Sequence, residues 1–548
     1  MFHFDQLNSN EVSNKSSELE GSKTEFFQEQ DNAADLQFSM SDNEIHRQVQ
    51  NYKYFTNLDD LYLDVVSPPF QSCDDDINRI LDTDYKNSSL IKSKGKNAFP
   101  LASFEMLRKH RSKRLRSNEE TSNLGPMMST ERIIELAAEH FICKELSSFS
   151  HPYPGSILSQ DSILGQDSKG FQLIQNLLYS AEKVDQKKYE HSRKFLEECE
   201  RMSSCTGSPI ERLVFYFTEA LHEKIDRETG LITPKGLGKK IPDPLEMMKC
   251  TNTFMITLQK KCPLTQIAKL VGIEALVDHV AESDKVHVID IHIVSGVQCT
   301  ILMQTLAARS GRPIQHLKIT AVGTKSKTTL EETGRRLMAF ANSLNLKFSF
   351  HVVMVEDILY LNKNLFELDP NEVVSIYAAY GLKNMIGRPD RLEHLMNVAK
   401  SLGPRVMIIT EIETNCNSPN FLPRFVEALF FYGAFFDSVA ECLKNDEENR
   451  REAEERCFGS AMRNVVATEG DERKIRYVSI DVWRAFLSRF GLAETGLSMS
   501  CLYQANLMRE NFPFGRSCTL GMDGECLTIG WKGTPLITVS AWKFSSDG

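Results

Sequence analysis

Asp290 is the carboxylate best placed to do chemistry. It lies within Val286–Val294, whose β-branched residues predict a buried parallel strand, the first of a Rossmann-like α/β domain. A carboxylate toward the end of such a strand sits where open α/β sheets hold their ligands. Its structural alternative is to accept hydrogen bonds from the turn that follows. His287 and His292 differ in parity along that strand, so they would point to opposite faces and share no ligand. Each reads better as a satisfied core histidine. Glu411 and Glu413 end a later strand, but two carboxylates without a recognisable pocket are weak evidence for acid–base work. Lys325, Lys327, Arg335 and Arg336 could meet phosphate, and a charged loop in water explains them equally well. GxSxG, P-loop and HExxH patterns are absent. The 13 cysteines, from Cys73 to Cys526, form no CxxC and no Cys/His cluster at ligand spacing, and read as reduced, mostly buried thiols. No catalytic, cofactor-binding or metal-ligating residue is assigned.

The elements that would position these groups fall into two kinds. From Ser129 the spacing of apolar residues is helical: Ser129–Leu146, Phe171–Val184, the run YEHSRKFLEEC, Ser208–Ile225, Pro244–Leu258 and Leu264–Val280. No a/d repeat persists long enough for a coiled coil. From Val286 short strands alternate with helices. After the first strand come helix Thr300–Arg309, strand Leu317–Val322, helix Thr329–Leu344, strand KFSFHVVM, strand EVVSIYAA, helix Asp390–Leu402 and strand PRVMIITE. A long helix from Phe421 and a charged helix through Asp446–Glu455 follow, and the chain closes with a hairpin around Gly533. Alternating βα units predict a parallel, doubly wound sheet with right-handed crossovers.

Composition sets the surroundings. Residues 1–90 carry eighteen Asp and Glu against six Lys and Arg, a net of −12, which leaves the rest at +2 of the chain's −10. Residues 1–123 are polar and aperiodic, and are expected to be a disordered acidic tail. Within them Tyr52–Phe70 interleaves aromatics and leucines with aspartates, the pattern either of a segment that folds on a partner or of a plain spacer. Arg108, Lys109, Arg111, Lys113, Arg114 and Arg116 put six cations in nine residues, and read as a nuclear localisation signal. No apolar run reaches the about 20 residues of a membrane helix, and the N-terminus lacks a secretory pattern, so a cytosolic or nuclear protein without membrane contact is expected.

Parallel strands followed by a terminal antiparallel hairpin resemble the fold of S-adenosylmethionine-dependent methyltransferases. That cofactor needs a glycine-rich turn after the first strand, and here only Gly296 is available after Ile291–Ser295. The acidic residue that holds ribose hydroxyls after the second strand is replaced by Val322, Gly323, Thr324 and Lys325. An enzyme of that kind is therefore not expected.

Val286, His287, Val288, Ile289 and Asp290 resemble the VHIID motif of the plant GRAS family. Asn420–Ser438 is similar to its PFYRE region and Arg463–Gly470 to the continuation. The ending contains Ser540, Ala541 and Trp542, which match its SAW motif, and SPIERLVFYFTEAL is similar to part of the first leucine-rich region. The blocks run in the family's order across Ser129–Lys543. The resemblance implies a helical cap on a methyltransferase-like core and a nuclear regulator of transcription without a cofactor. Its partners would be other GRAS proteins, in homo- or hetero-oligomers, and zinc-finger or other transcription factors, with DNA met directly or through them. Two departures stand out: Gln298 is followed by Cys299 rather than tryptophan, and Cys262–Val280 lacks the usual Asn-Gln pairing. The core resembles the DELLA branch, while the tail has neither the DELLA sequence nor a TVHYNP-like segment, a combination similar to the root-symbiosis branch.

The expected organisation is a tail over 1–123 and a GRAS domain over 124–546. Within it lie the first leucine-rich region and cap (129–228), more cap (244–282), the VHIID region (286–324), a second leucine-rich region (330–358), the PFYRE region (372–460) and the SAW region (461–543). Replacing Arg111, Lys113, Arg114 and Arg116 with alanine should leave a fluorescent fusion of the full chain in the cytoplasm. Unchanged nuclear accumulation under the microscope would remove the signal from that run.

Overall fold

A computed structural model describes residues 128–147, 168–231, 252–293, 295–309, 312–324 and 326–545. The expectations for the tail, for Tyr52–Phe70, for the cations from Arg108 to Arg116, for positions 244–251, for Val294 and for Lys325 lie outside those residues.

The first part is helical, as the periodicity predicts: α1 (Thr130–Ser147), α2 (Ser168–Asp185), α3 (Tyr189–Met202), α4 (Pro209–Glu228), α5 (Asn252–Lys261) and α6 (Pro263–His279). The start of α4 shows the local cause. Ser208 accepts a hydrogen bond from the Glu211 N–H, Pro209 fills the first position, where no donor is needed, and Glu211 lies in the positive first turn. Its buried stripe of Leu213, Val214, Phe217, Ala220 and Leu221 packs inward.

Alternation follows: β1 (Lys285–Asp290), α7 (Val297–Ala307), β2 (His316–Gly323), α8 (Lys327–Ser343), β3 (Phe348–Met354), β4 (Val373–Ala379), α9 (Pro389–Leu402) and β5 (Met407–Ile412). Next come α10 (Phe421–Cys442), α11 (Glu447–Glu452), α12 (Ser460–Ala467), α13 (Ile480–Ser488), β6 (Leu492–Thr495) and α14 (Met499–Glu510). The last strands are β7 (Cys518–Asp523), β8 (Cys526–Trp531) and β9 (Thr534–Phe544). They form one nine-stranded sheet in the order β3-β2-β1-β4-β5-β9-β8-β7, with β6 added beside β9. The first five strands pair in parallel, and β9, β8, β7 and β6 pair antiparallel. The order reverses at β1, which puts the topological switch point between β1 and β4.

Three expectations are corrected. The first strand ends at Asp290 and does not run to Val294, because the Asp290 carboxylate accepts the His292 N–H and turns the chain out of the sheet. The charged helix through Glu455 is α-helical only to Glu452. It continues as a π-helix over Ala453–Gly459, where fully buried Glu454 receives Arg212 Nε at 2.9 Å and Arg450 Nη1 at 3.1 Å. The elements α12, α13, β6, α14 and β7 leave no pattern that the sequence reading registered.

The sheet is covered on both faces. On one side α6 and α10 join α1–α4 and the outer hairpin strands in a continuous apolar core, in which the Phe217 and Phe425 rings meet edge-on at 5.3 Å. On the other, α9 and α13 pack against Ile289, Ile376, Met407 and Ile409. Alternation along the terminal hairpin sends Trp531 into the first core and Trp542 into the second.

A polar knot lies in the first core. Asp437 on α10 accepts Thr130 Oγ1 from α1 at 3.0 Å and Trp531 Nε1 from β8 at 3.0 Å, and lies 2.7 Å from Lys532 Nζ. Asp437→Ala should lower the unfolding free energy by about 3–5 kcal/mol, since two buried donors and a cation lose their acceptor together. Asp437→Asn, which keeps one oxygen, should cost less; equal urea midpoints for all three proteins would contradict it.

Candidate functional site

The carboxyl ends of β1, β2, β4 and β5 form the edge at which an α/β sheet offers a ligand site. Asp290 closes β1 and is 1% exposed. Its Oδ1 accepts the His292 N–H at 3.0 Å, and its Oδ2 accepts Gln298 Nε2 at 2.9 Å. Burial pushes the carboxyl up to about 6, against the pull of those two hydrogen bonds. This is the turn-acceptor role read from the sequence.

The turn itself is closed. Gly296 caps α7 in a left-handed conformation (φ +74), and a Cβ there would lie 3.0 Å from Thr333 and 3.3 Å from Leu337, both on α8. At the end of β2, a Cβ on Gly323 would come within 2.5 Å of Leu330. The glycines here admit neighbouring side chains. With both Asp290 oxygens engaged by the chain itself, these residues do not fit a dinucleotide or S-adenosylmethionine across β1 and β2.

The histidines separate, partly for a different reason than parity. His287 is fully buried within the sheet, its Nδ1 2.7 Å from Glu372 and its Nε2 2.8 Å from Thr320 Oγ1. His292 is off the strand, in the turn, with Nδ1 3.2 Å from the Ala379 carbonyl. Burial pulls both down to about 4, so both are neutral at physiological pH. Gly381 packs over the second ring: a Cβ there would stand 2.7 Å from His292 Cβ.

The two glutamates bind backbone. Glu411 Oε1 accepts the N–H groups of Leu382 at 2.9 Å and Lys383 at 3.2 Å, and Glu413 Oε2 accepts the Ile480 N–H at the start of α13 at 2.9 Å. Burial pushes Glu411 up to about 7, with the Lys383 ammonium opposing it. Above it the Lys383 ammonium lies 5.5 Å from the ring centres of both Tyr380 and Tyr477. Tyr380, Lys383 and Tyr477 escaped the sequence reading; the one available signal was the position of Tyr380 just past the end of β4.

The remaining candidates lie elsewhere. Ser540, Ala541 and Trp542 sit within β9 opposite β5, where Trp542 Nε1 donates to Ser540 Oγ at 2.8 Å. Lys327 pairs with Glu331 and Arg335 with Glu332 along α8, while Arg336 donates to Thr333 Oγ1. Among the described residues, no group of three or more His, Cys, Asp or Glu could hold a metal, and no helix is long and apolar enough to cross a membrane. Cys199, Cys262, Cys299, Cys416, Cys442, Cys501, Cys518 and Cys526 are buried free thiols and Cys205 is a partly exposed one, whereas Cys457 is disulfide-bonded, against the expectation of a fully reduced set.

The GRAS domain family model matches residues 173–543. DELLA protein GAI1 of Vitis vinifera is 27% identical over 388 residues, covering 70% of this chain and 64% of its own length. Scarecrow-like protein 18 of Arabidopsis thaliana is 30% identical over 407 residues, covering 68% of this chain and 91% of its own. This chain thus spans slightly under two thirds of three of the DELLA relatives it matches, 64% to 65% of GAI1, of GAIP from Cucurbita maxima and of RGA from Arabidopsis thaliana. The crystal structure of SCL7 from Oryza sativa superposes with a TM-score of 0.59 at 26% identity, over 68% of this chain and 99% of that one.

The raised Asp290 pKa sets a stability test. A carboxyl held above its unfolded value of 3.8 favours the fold while protonated, and that contribution is lost as pH rises through about 6. Asp290→Asn, with the Gln298 amide reversed to accept, escapes the loss. The variant should therefore gain on the parent by about 3 kcal/mol between pH 3.5 and pH 7, read from urea unfolding at the two ends. A difference that does not change with pH would show that Asp290 ionises as it does in water.

Proposed function

This chain belongs to the GRAS domain family of plant regulators, and we propose that it acts in the nucleus as a transcriptional co-regulator, mainly by binding other proteins. The observation that carries the reading is the closure of the β1–β2 edge. Asp290, which would hold a cofactor in an enzyme of this fold, has both oxygens bonded to His292 and Gln298. Function is then left to the outer surfaces.

One surface has the right character. Met499 and Tyr503 stand one turn apart on α14, 80% and 55% exposed, while only Cys501 and Ala505 of that helix are buried. Large apolar residues set together on a helix face are typical anchors of a protein interface. The expected partners are another GRAS protein, as a homo- or hetero-oligomer, and zinc-finger or other transcription factors. The acidic tail of 1–123 would engage the transcription machinery, and the cations from Arg108 to Arg116 would direct import. The domain boundaries read from the sequence, 124–546 with its internal regions, are part of this proposal.

Direct, sequence-specific DNA binding is the weaker reading. The cations that would serve it at α8, Lys327 and Arg335, are matched by acids on the same helix. A DELLA-like core in a chain without the DELLA sequence favours a role in plant development or root symbiosis, including arbuscular mycorrhiza, over gibberellin-receptor binding.

A pull-down from plant nuclei with the full chain and with residues 125–548 should recover GRAS proteins and transcription factors on both, and transcription machinery on the full chain alone. Recovery of neither class, together with methyl transfer from S-adenosylmethionine by the purified protein, would overturn the reading.

A further inference from the structure

The path of the sheet ends in β7 on one side and in β3 on the other, and the two ends are unlike. Strand β7 contains Gly521 and Asp523, and Arg484 takes both the Asp523 carboxylate, at 2.8 Å, and its carbonyl. Glycine and charge on an edge strand discourage a further strand from pairing. Strand β3 reads FSFHVVM, without Lys, Arg, Asp, Glu, Gly or Pro, and it pairs with β2 alone.

The ends of β3 fix the direction of its backbone. The Lys347 carbonyl accepts the Leu317 N–H, and the Val355 N–H donates to the Gly323 carbonyl, so the odd-numbered residues of this stretch face β2. Backbone groups alternate along a strand, so those of Phe348, Phe350, Val352 and Met354 face away from the sheet. Among the described residues no other backbone group meets them. A row of open donors and acceptors on an edge without fixed charge is a template for another strand.

The flank of this edge is apolar as well. After β3 the chain makes two short 3-10 turns, Ile358–Tyr360 and Lys363–Phe366, with Leu361 and Phe366 buried and Leu359, Tyr360 and Leu365 exposed. Glu367, which ends the second turn, lies 3.3 Å from His351 in the middle of β3, so the segment passes beside the edge.

Symmetry names the occupant. A strand that pairs with its own copy about a twofold axis meets a partner of equal length, and no Lys, Arg, Asp or Glu meets its like because neither strand has one. Antiparallel pairing with Phe350 opposite the second copy's Val352 gives every outward group from Phe348 to Met354 a partner. One strand pair buries less than the roughly 800 Å² per side of a standard interface, and the apolar residues beside it, brought once by each copy, supply part of the difference.

We propose that β3 is the interface of a homodimer in which two copies of this chain join their sheets edge to edge. It uses a surface other than α14 and does not depend on the co-regulator reading.

The test is sedimentation equilibrium of the full chain from about 1 to 100 μM, a range that brackets the affinity of a small interface. A monomer–dimer equilibrium is expected. Val352→Pro removes an outward N–H that β2 does not use. His351→Lys sets two ammonium groups opposite each other across the axis, with Glu367 still beside each. Either change should weaken association about tenfold or more. Hydrogen exchange of the peptide spanning β3 should slow as the parent protein is concentrated, and stay fast in both variants. A chain that remains monomeric throughout, or a dimer that both substitutions leave intact, overturns the proposal. So does an edge protected only when nuclear extract is added, which assigns it to a strand of another protein. Thermal unfolding curves that match the parent's in dilute solution assign any loss to the edge and not to the fold.

Discussion

One carboxylate, that of Asp437, joins a helix 307 residues before it to a hairpin strand 94 residues after it. It receives the Thr130 hydroxyl from the first helix, the Trp531 indole N–H from the terminal hairpin and the charge of Lys532. A buried carboxylate tolerates removal from water only when its lone pairs are filled, so these three donors must arrive together. The helix that carries it, α10, lies between the helical layer and the sheet, and its aromatic face meets α4 through Phe425 and Tyr432. The Asp437 contacts thus make the cap helices part of the same core as β8 and β9. The fully buried Arg424, on the same helix, does the equivalent work one end away, donating to the carbonyls of Val465 and Ser418 and to Glu469. Specificity of docking comes from such polar groups, while the apolar area around them supplies the driving force.

The same rule, that a buried polar group must find a partner, explains how the β1–β2 edge closed. Asp290 in an open site would be hydrated or would bind a ligand. Here Gln298, on the first turn of α7, takes one oxygen and the turn backbone takes the other. Once Thr333 and Leu337 stand over Gly296, no water is needed to satisfy the carboxylate, and its raised pKa follows from burial. A glycine that in a nucleotide-binding turn gives room to phosphate gives room to α8 instead.

The fold was legible in the sequence where a segment obeys a single period. VHVID shows as a buried strand and SPIERLVFYFTEAL as an amphipathic helix because burial on fixed faces leaves that pattern. Strand β6 has four residues and β7 contains glycine and polar positions, so neither alternates long enough to register. Helix α14 buries just two residues, and a helix that hides so little has no apolar stripe to detect. The end of β1 was misplaced because Ile291 and Ile293 are buried as turn residues, which periodicity cannot distinguish from strand residues. Asp290 was found, with its alternative role, because its position in the strand is local information. Tyr380, Lys383 and Tyr477 were missed because they come together only through the backbone turn after β4 and a segment almost a hundred residues later.

That last distinction bears on how differently the two halves of the carboxyl edge are assembled. The cofactor half of such an edge rests on local sequence: a turn after β1 and a residue after β2. A few substitutions within each, such as Gln298 reaching Asp290, suffice to fill it. The half above β4 and β5 is assembled from the β4 turn, the end of β5 and the approach to α13, where Glu411 and Glu413 also anchor the backbone of Leu382, Lys383 and Ile480. Filling that half with side chains would disturb the contacts that place α13 and the second core. Glu411 fixes backbone with one oxygen, and its other oxygen, buried without a hydrogen-bond partner, is a cost that those backbone anchors offset.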